Sequence, residues 1–404
     1  MIGKMLSALL VFVAPGSAAL SDTASAGPGT TFRYISTSRI SSGVVFRMFQ
    51  TNGFGGPILG YLLVIDLRDP HVTVGLLHPP VVAARAPVTA MANAQGALAG
   101  VNGDFFNIGE THAGVAPTGS AVGPEVADGH DLKAAVPDGQ RFGPMPPAGT
   151  STEDVIGIGT DRVGRVASLH LTGTIRGDHA VLAPSGLNQY ALPVGGIGVF
   201  TSDWGPVPRI RAVCGTDVLR RAPCSAGTAE VTVRRGVVTS VGDAVGAGPI
   251  PPDTIVLVGR EQGADSLRDL RPGDPLRIRY HLAGPRRFRV AVGGLPILRD
   301  GMPLAGLDVA RLSPRTAAGV SRSGRRMYLV VVDGRSEKSG GTTIAGLAAL
   351  LRRLGADDAM DLDGGGSSTL ALRVPGRPFV AVRNRPSVRS ERAVANGIGV
   401  FAHR

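Results

Sequence analysis

The chain has 404 residues, 43% of them hydrophobic, with 42 Lys+Arg against 31 Asp+Glu and a net charge of +11. Only Lys4, Lys133 and Lys338 are lysines and aromatics make up 4%, so no basic run is interleaved with aromatic residues. Stacking surfaces for single strands are therefore not expected, and neither is a nucleic-acid partner. An anionic substrate or an anionic cell-wall surface fits the charge.

Lys4 precedes an apolar stretch, 5–14, that is too short to span a bilayer. Small-residue cleavage sites follow at Ser17-Ala18-Ala19 and Ala24-Ser25-Ala26. This predicts a signal peptide over 1–26, cleaved after Ala26 or Ala19, and a secreted or cell-envelope mature chain without a membrane span. A short membrane anchor is the rival reading. Residues 27–59 read as a polar, turn-rich lead. Residues 61–67 and 72–77 read as strands. A short helix begins at Pro87, with Val88, Met91, Ala94 and Leu98 at roughly helical spacing. A strand at 100–101 then delivers Asn102-Gly103-Asp104-Phe105-Phe106.

The stretch 128–147 is rich in Pro and Gly and reads as a loop or domain boundary. Beyond it, 166–171, 231–238, 254–258 and 276–282 carry strand-forming runs, which predict an inserted β-rich subdomain over 150–289. Cys214 and Cys224 are the only cysteines, and a close pair in an exported chain predicts a local disulfide. Two buried thiols are the alternative.

The carboxyl-terminal section is the most legible. Residues 327–332 form a continuous apolar strand, the pattern of burial on both faces. Asp333-Gly334-Arg335 stops it. Thr342 or Thr343 caps a helix carrying Ile344, Leu347, Leu350, Leu351 and Leu354, and Gly355 closes it. Residues 359–362 are a second strand. Strand, crossover helix and strand predict a right-handed unit with parallel strands, placing Asp333 and Asp363 at one sheet edge. The whole is expected to be α+β, a mixed sheet with crossover helices, its core domain formed by 60–145 and 290–404.

The stretch Asp361-Leu362-Asp363-Gly364-Gly365-Gly366-Ser367-Ser368 sets two carboxylates beside three glycines. Glycine lets backbone approach a ligand closely, and consecutive amides can form an anion site. A plain turn between strands is the competing reading. Three segments then compete for one pocket: the one around Asp104, Asp333-Gly334-Arg335, and the Asp363 turn. No Gly-x-Ser-x-Gly elbow or dinucleotide fingerprint is present, and the histidines show no metal-ligand spacing. His112 reads as a loop residue or a pocket residue, and Trp204 as core or a sugar platform.

These motifs, in order, resemble the phosphodiester glycosidase family. The matching pieces are Asn102-Gly103-Asp104-Phe105-Phe106, Pro117-Thr118-Gly119, Gly293-Gly294-Leu295-Pro296, Arg315-Thr316-Ala317-Ala318-Gly319-Val320, Asp333-Gly334-Arg335, Leu362-Asp363-Gly364-Gly365-Gly366-Ser367 and Glu391-Arg392-Ala393-Val394. The resemblance covers about 60–404, least in the insert. It implies hydrolysis of a sugar-1-phosphate diester at the anomeric carbon of a phosphate-linked glycan, such as an envelope glycan or exopolysaccharide. Asp363 is then the principal catalytic carboxylate, with Asp333 or Asp104 as partner. Asn102, Arg315, Thr316, Arg335, Gly364, Gly365, Gly366, Ser367 and Arg392 are the expected substrate-binding residues, since guanidinium groups hold phosphate oxygens bidentately. Asp361 stands where the family often has an uncharged residue, and its expected place is accessory. No cofactor or metal is expected. A divalent cation is the alternative, because Asp361 to Gly364 match a fragment of a calcium loop whose later ligands are absent. Two other functions compete: a non-catalytic protein that binds anionic glycans, and a cation-dependent phosphodiesterase.

Overall fold

The computed structural model describes residues 32–53, 55–178 and 181–403, so the expected signal peptide lies outside the described residues. Strand takes 42% of the chain and helix 10%, with three α-helices among the described residues. The expectation of an α+β chain with a mixed sheet and crossover helices is therefore corrected. The protein is mostly β, built from five sheets whose described pairings are antiparallel except for a two-residue pairing of Gly186–Leu187 with Ile197–Phe200.

The largest sheet has eight strands. Its centre runs Gly56–Asp66, Arg326–Val332, Arg315–Val320, Asp358–Leu362, Leu295–Arg299. The misreading came from a strand the sequence does not announce as a neighbour. Arg326–Val332 and Asp358–Leu362 do run in the same direction, joined by the helix Ile344–Leu354. Yet Arg315–Val320 lies between them, antiparallel to both, with Thr316 facing Val331 on one side and Leu362 on the other. Continuous apolar runs need cover on two faces, and a parallel sheet is only one way to supply it. Here the helix Ile344–Leu354 covers one face, and strands Asp154–Gly159 and Gly164–Ser168 contact the same sheet.

Local chemistry explains the helix. Thr343 accepts a hydrogen bond from Gly346 N–H (3.0 Å) as its N-cap, and Gly355 ends it at φ 100°. Its buried Ile344, Leu347 and Leu351 lie against Arg315–Val320, whose small residues admit it. A Cβ on Gly319 would sit 2.9 Å from Ala356 Cβ and 3.0 Å from Leu351 Cδ1.

A second sheet, with strands Val72–Leu77, Ala99–Asn102, Leu370–Arg373, Val380–Val382 and Gly397–Ala402, brings the segment after Asn102 to the edge of the first. The polar lead also needs correction. Arg33–Ser41 and Val44–Gly53 are two strands of the eight-stranded sheet, and Val44, Phe46 and Phe49 from the second are buried. The run read as one strand at 231–238 is a hairpin, because Arg235 and Gly236 take φ 51° and 80° and reverse the chain.

The insert is not set apart at residue 150. Asp154–Gly159 pairs with Phe288–Gly293, which in turn pairs with Glu125–Ala127. The main core runs from the eight-stranded sheet into the insert through Tyr190, Phe200 and Trp204. A smaller core around Leu187, Val199, Val231 and Leu257 belongs to the insert. Cys214 and Cys224 form a disulfide. No helix among the described residues is long and apolar enough to cross a membrane.

Leu329 is wholly buried at the centre of the large sheet. Leu329→Ala should lower the unfolding free energy by about 2–5 kcal/mol in urea titration.

Candidate active site

Two chain segments are fastened together where the two sheets meet. Asp363 N–H donates to the Gly103 carbonyl (2.8 Å), and Asn102 Nδ2 donates to the Asp363 carbonyl (2.6 Å). The Asn102 side-chain oxygen accepts from Thr316 Oγ1 (2.7 Å) and from Thr369 N–H (3.0 Å). Asn102 and Thr316, expected to hold substrate, are fully buried and use these polar atoms on the protein itself. They position the turn rather than line the cavity.

The Asp363 turn opens on a cavity of about 430 Å³. Arg311, Arg315, Arg335 and Arg392 supply positive charge to its lining, with Asp308 among them. Phe105, Phe106, Phe142, Ile108 and Pro144 supply an apolar wall. Asp363 and the three glycines Gly364, Gly365 and Gly366 complete the lining.

Asp363 is half-buried, and Ser367 Oγ donates to its Oδ2 (2.5 Å). Burial pushes its carboxyl up to about 6, the Asp104 charge adding to it against the Ser367 hydroxyl, Arg392 and the Gly364 amide. Arg392 Nη1 donates to the same Ser367 hydroxyl (3.3 Å). Gly366 is the glycine that this contact requires, since a Cβ there would lie 2.3 Å from Arg392 Nη2. The turn is not an open anion nest. Gly365 N–H donates to Pro314 O, Ser367 N–H to Gly364 O and Ser368 N–H to Gly365 O.

The two partner carboxylates separate clearly. Asp333 and Asp363 do leave the same sheet edge, but Arg315–Val320 stands between their strands, so their backbones are about 10 Å apart at ordinary strand spacing. The Asp333 carboxylate is buried and bonded throughout: Oδ2 accepts from Tyr61 OH (3.1 Å), and Oδ1 from Asn384 Nδ2 (3.3 Å) and Arg385 N–H (3.0 Å). Neither it nor Asp104 is among the residues lining the cavity. Asp104 follows Gly103, the residue bonded to Asp363. Its Oδ2 accepts from Gly123 N–H (2.6 Å), its Oδ1 is buried without a hydrogen-bond partner, and burial raises its pKa.

Arg335 is exposed, donates from Nη2 to Ser313 Oγ (3.2 Å) and holds φ 59°, a left-handed backbone that non-glycine residues seldom adopt. Arg315 is nearly buried. It donates to the carbonyls of Thr342 (3.3 Å) and Arg311 (3.2 Å), and its Nη1 lies 3.6 Å from Asp361 Oδ2. Asp361 is fully buried, and neither carboxylate oxygen has a hydrogen-bond partner. Burial pushes it up to about 7, Arg315 and Arg141 opposing and Asp363 adding to the rise.

Sequence reasoning flagged Phe105 and Phe106 with the Asp104 segment but missed Phe142, Pro144 and Arg141, which lie in the stretch read as a boundary loop. Arg141 is buried, its guanidinium 5.2 Å from the Phe105 ring centre, and none of its three side-chain nitrogens has a hydrogen-bond partner. Burial lowers its pKa, opposed by the Asp104 charge. The disulfide loop braces this wall from behind. Arg220 Nη1 donates to Arg141 O (2.6 Å) while its guanidinium lies over the Phe142 ring at 4.0 Å, and Gln140 Nε2 donates to Thr216 O (2.5 Å). The cue was only an aromatic and a cation beside Gly143-Pro144. His112 is a tethered residue, its ring bonded to Glu110 (2.6 Å) and to Ala222 O (2.7 Å), and Trp204 is core.

Residues 227–401 match the family model described as phosphodiester glycosidase, which bears out the resemblance over that part of the chain. No curated protein matches. A hypothetical protein from Synechocystis shares the fold at TM-score 0.69 and 21% identity, over 94% of this chain and 64% of its own, so this chain spans under two thirds of that protein's length. A candidate exported protein from Burkholderia pseudomallei K96243 is similar at TM-score 0.70 and 20% identity, over 93% and 97%. The zebrafish N-acetylglucosamine-1-phosphodiester alpha-N-acetylglucosaminidase catalytic domain, auto-inhibited by its pro-peptide, aligns at TM-score 0.45 and 16% identity, over 94% and 90%.

Asp361→Asn tests the buried carboxylate. Folding raises this group from 3.8 to about 7, so the folded state binds its proton more tightly than the unfolded chain. The contribution of Asp361 to stability is greatest below its unfolded value and declines as pH rises to the folded one. Stability of the natural protein relative to Asp361→Asn should therefore fall by about 1–4 kcal/mol between about pH 4 and pH 7. Urea titrations across that range check it; a difference independent of pH would contradict the placement of this charge.

Proposed function

We propose that this chain, which carries a phosphodiester glycosidase family domain over residues 227–401, hydrolyses sugar-1-phosphate diesters at the anomeric carbon. The observation that carries the reading is the half-buried Asp363 carboxylate at the junction of a cationic and an aromatic wall in one cavity. The sugar lies against Phe105, Phe106 and Phe142, and the phosphate faces Arg315, Arg335, Arg392 and Arg311.

In the reaction the bond from C1 to the bridging oxygen breaks. Its electron pair leaves with the phosphate monoester, and the oxygen of a water molecule ends on C1. A phosphate monoester is a far better leaving group than an alkoxide, so the demand for a strong general acid is small. Fixed guanidinium charges take its place, because they oppose the charge that builds on the departing phosphate. Asp363 serves the anomeric centre in its ionised form, as nucleophile or as base toward water. Asp104, one backbone hydrogen bond away, is the nearer second carboxylate and takes the partner role in place of Asp333. Asp361 stands behind Arg315 and orients it.

Export to the cell envelope is part of the proposal, with phosphate-linked envelope glycans or exopolysaccharides as substrates. The Cys214–Cys224 disulfide supports an oxidising compartment. No metal is assigned a role; cleavage of the P–O bond with a bound cation is the outcome that would replace this mechanism.

Incubation with a panel of sugar-1-phosphate diesters, with and without chelator, should release free sugar in both cases. A chelator-sensitive release of sugar phosphate would overturn the mechanism, and binding without any product would favour a glycan-binding role. Asp363→Asn should lower kcat by about 10²–10⁴-fold with its circular-dichroism spectrum unchanged. Because the ionised carboxylate is required, kcat/KM should fall as pH drops through about 6, about tenfold per unit below it. A flat profile from pH 5 to pH 8 would remove Asp363 from the chemistry.

A further inference from the structure

A second hollow lies away from the Asp363 cavity and shares no lining residue with it. It has a volume of about 1000 Å³ and sits between the strand Arg33–Ser41 and the segment that runs from Leu372 to Arg383, with His403 at its side. Arg39, Arg373, Arg377, Arg383 and His403 line it, and among the described residues no Asp or Glu does. Its floor is apolar, made by Phe46, Leu98 and Leu372, and Ser36, Ser38 and Ser41 add hydroxyls at the rim.

Four guanidinium groups around one hollow repel each other, and on a folded surface such repulsion is ordinarily met by neighbouring carboxylates. Some of the protein's other arginines are paired in this way. Arg68 pairs with Asp66, Arg165 with Asp161, Arg209 with Glu230, and Arg268 with Asp243 and Asp265. Those at the hollow are not. The side chains of Arg39, Arg377 and Arg383 are exposed and make no hydrogen bond or ion pair with any described residue. Arg373 donates from Nη2 to Gly96 O (3.1 Å) and Ala97 O (3.2 Å), while its Nε is buried without a partner. Among the described residues that line the hollow, none carries the charge needed to balance this group.

We propose that this hollow is a second binding site, for a segment of an anionic polysaccharide bearing phosphate or carboxylate groups. The chemistry matches part by part. Guanidinium groups take the anionic substituents. The apolar floor takes the carbon faces of sugar rings, and the serine hydroxyls exchange hydrogen bonds with sugar hydroxyls. A hollow of this size accepts several sugar units, and its open form suits a chain that enters and leaves. The site does not depend on the hydrolytic reading of the Asp363 cavity, since it requires binding alone.

The test uses the full chain with Asp363→Asn, so that no turnover complicates binding. Titration with dextran sulfate and with neutral dextran should show binding of the first only, weakening steeply from about 50 mM to about 200 mM salt as counterion release predicts for a polyanion. Replacing Arg39, Arg377 and Arg383 together by Gln should weaken binding by about tenfold or more. A control variant with Arg221, Arg277 and Arg279 replaced by Gln carries the same change in net charge and should bind as the parent does. Hydrolysis of a small sugar-1-phosphate diester, measured in the natural background, should be unchanged by the three groove substitutions. Equal losses in the two triple variants would show only general attraction to a basic protein and would overturn the site. Binding to phosphatidylglycerol vesicles in preference to dextran sulfate, abolished by the groove substitutions, would replace the polysaccharide with a lipid surface and overturn the ligand class.

Discussion

The buried carboxamide of Asn102 is the interaction on which the site depends. It is one side chain with bonds to three segments: the Asp363 carbonyl after Asp358–Leu362, Thr316 on the strand beside it, and the Thr369 amide before the next strand. An amide presents a donor and an acceptor in fixed geometry, so it fixes the two sheets in relative position and angle at this point. Leaving any of those buried groups without a partner would cost about 1–3 kcal/mol. The same contact sets Gly103 against Asp363 and thereby places Asp104 beside it.

Around this fixed point the charges are arranged in layers. Asp361 and Arg315 lie behind the cavity, both buried, at 3.6 Å. The pairing adds to the bonds that Arg315 makes to the Thr342 and Arg311 carbonyls, while burial raises the Asp361 carboxyl to about 7. Asp363 is nearer the opening, and its pKa rises less because Ser367 and Arg392 stabilise its ionised form. Two carboxylates two residues apart in the chain are thus both raised by burial, with different neighbours opposing the rise. The pattern separates a carboxylate that can face a reacting centre from one that organises its support.

The insert reaches the same cavity from another direction. Its disulfide loop grips the backbone of Arg141 and the ring of Phe142, so the aromatic wall is held by a part of the chain more than seventy residues away. Glu110, Arg211 and Gln140 extend that grip as a buried polar network, Arg211 donating to both Glu110 and Gln140. An aromatic wall on a loop would otherwise be mobile, because loops bury little apolar area of their own.

The sequence determined the local events of the site. An apolar run ending in carboxylate and glycines marks the end of a buried strand, and Thr343 and Gly355 mark the ends of a helix, because capping and left-handed turns are chosen by residues within a few positions. The disulfide and the ordered motifs around Asp104, Asp333 and Asp363 were legible for the same reason. What lies between two strands in space is not local. Nothing in Met327 to Leu362 announces that Arg315–Val320 enters between them, and that insertion turned an expected crossover unit into an antiparallel sheet and separated Asp333 from Asp363. Nor does a residue's type say whether its polar atoms face solvent or a neighbour. Asn102 and Thr316 are used up inside, while Arg141, in a stretch that reads as linker, is buried against Phe105. Those outcomes were decided by tertiary packing, which alone assigns each donor its acceptor.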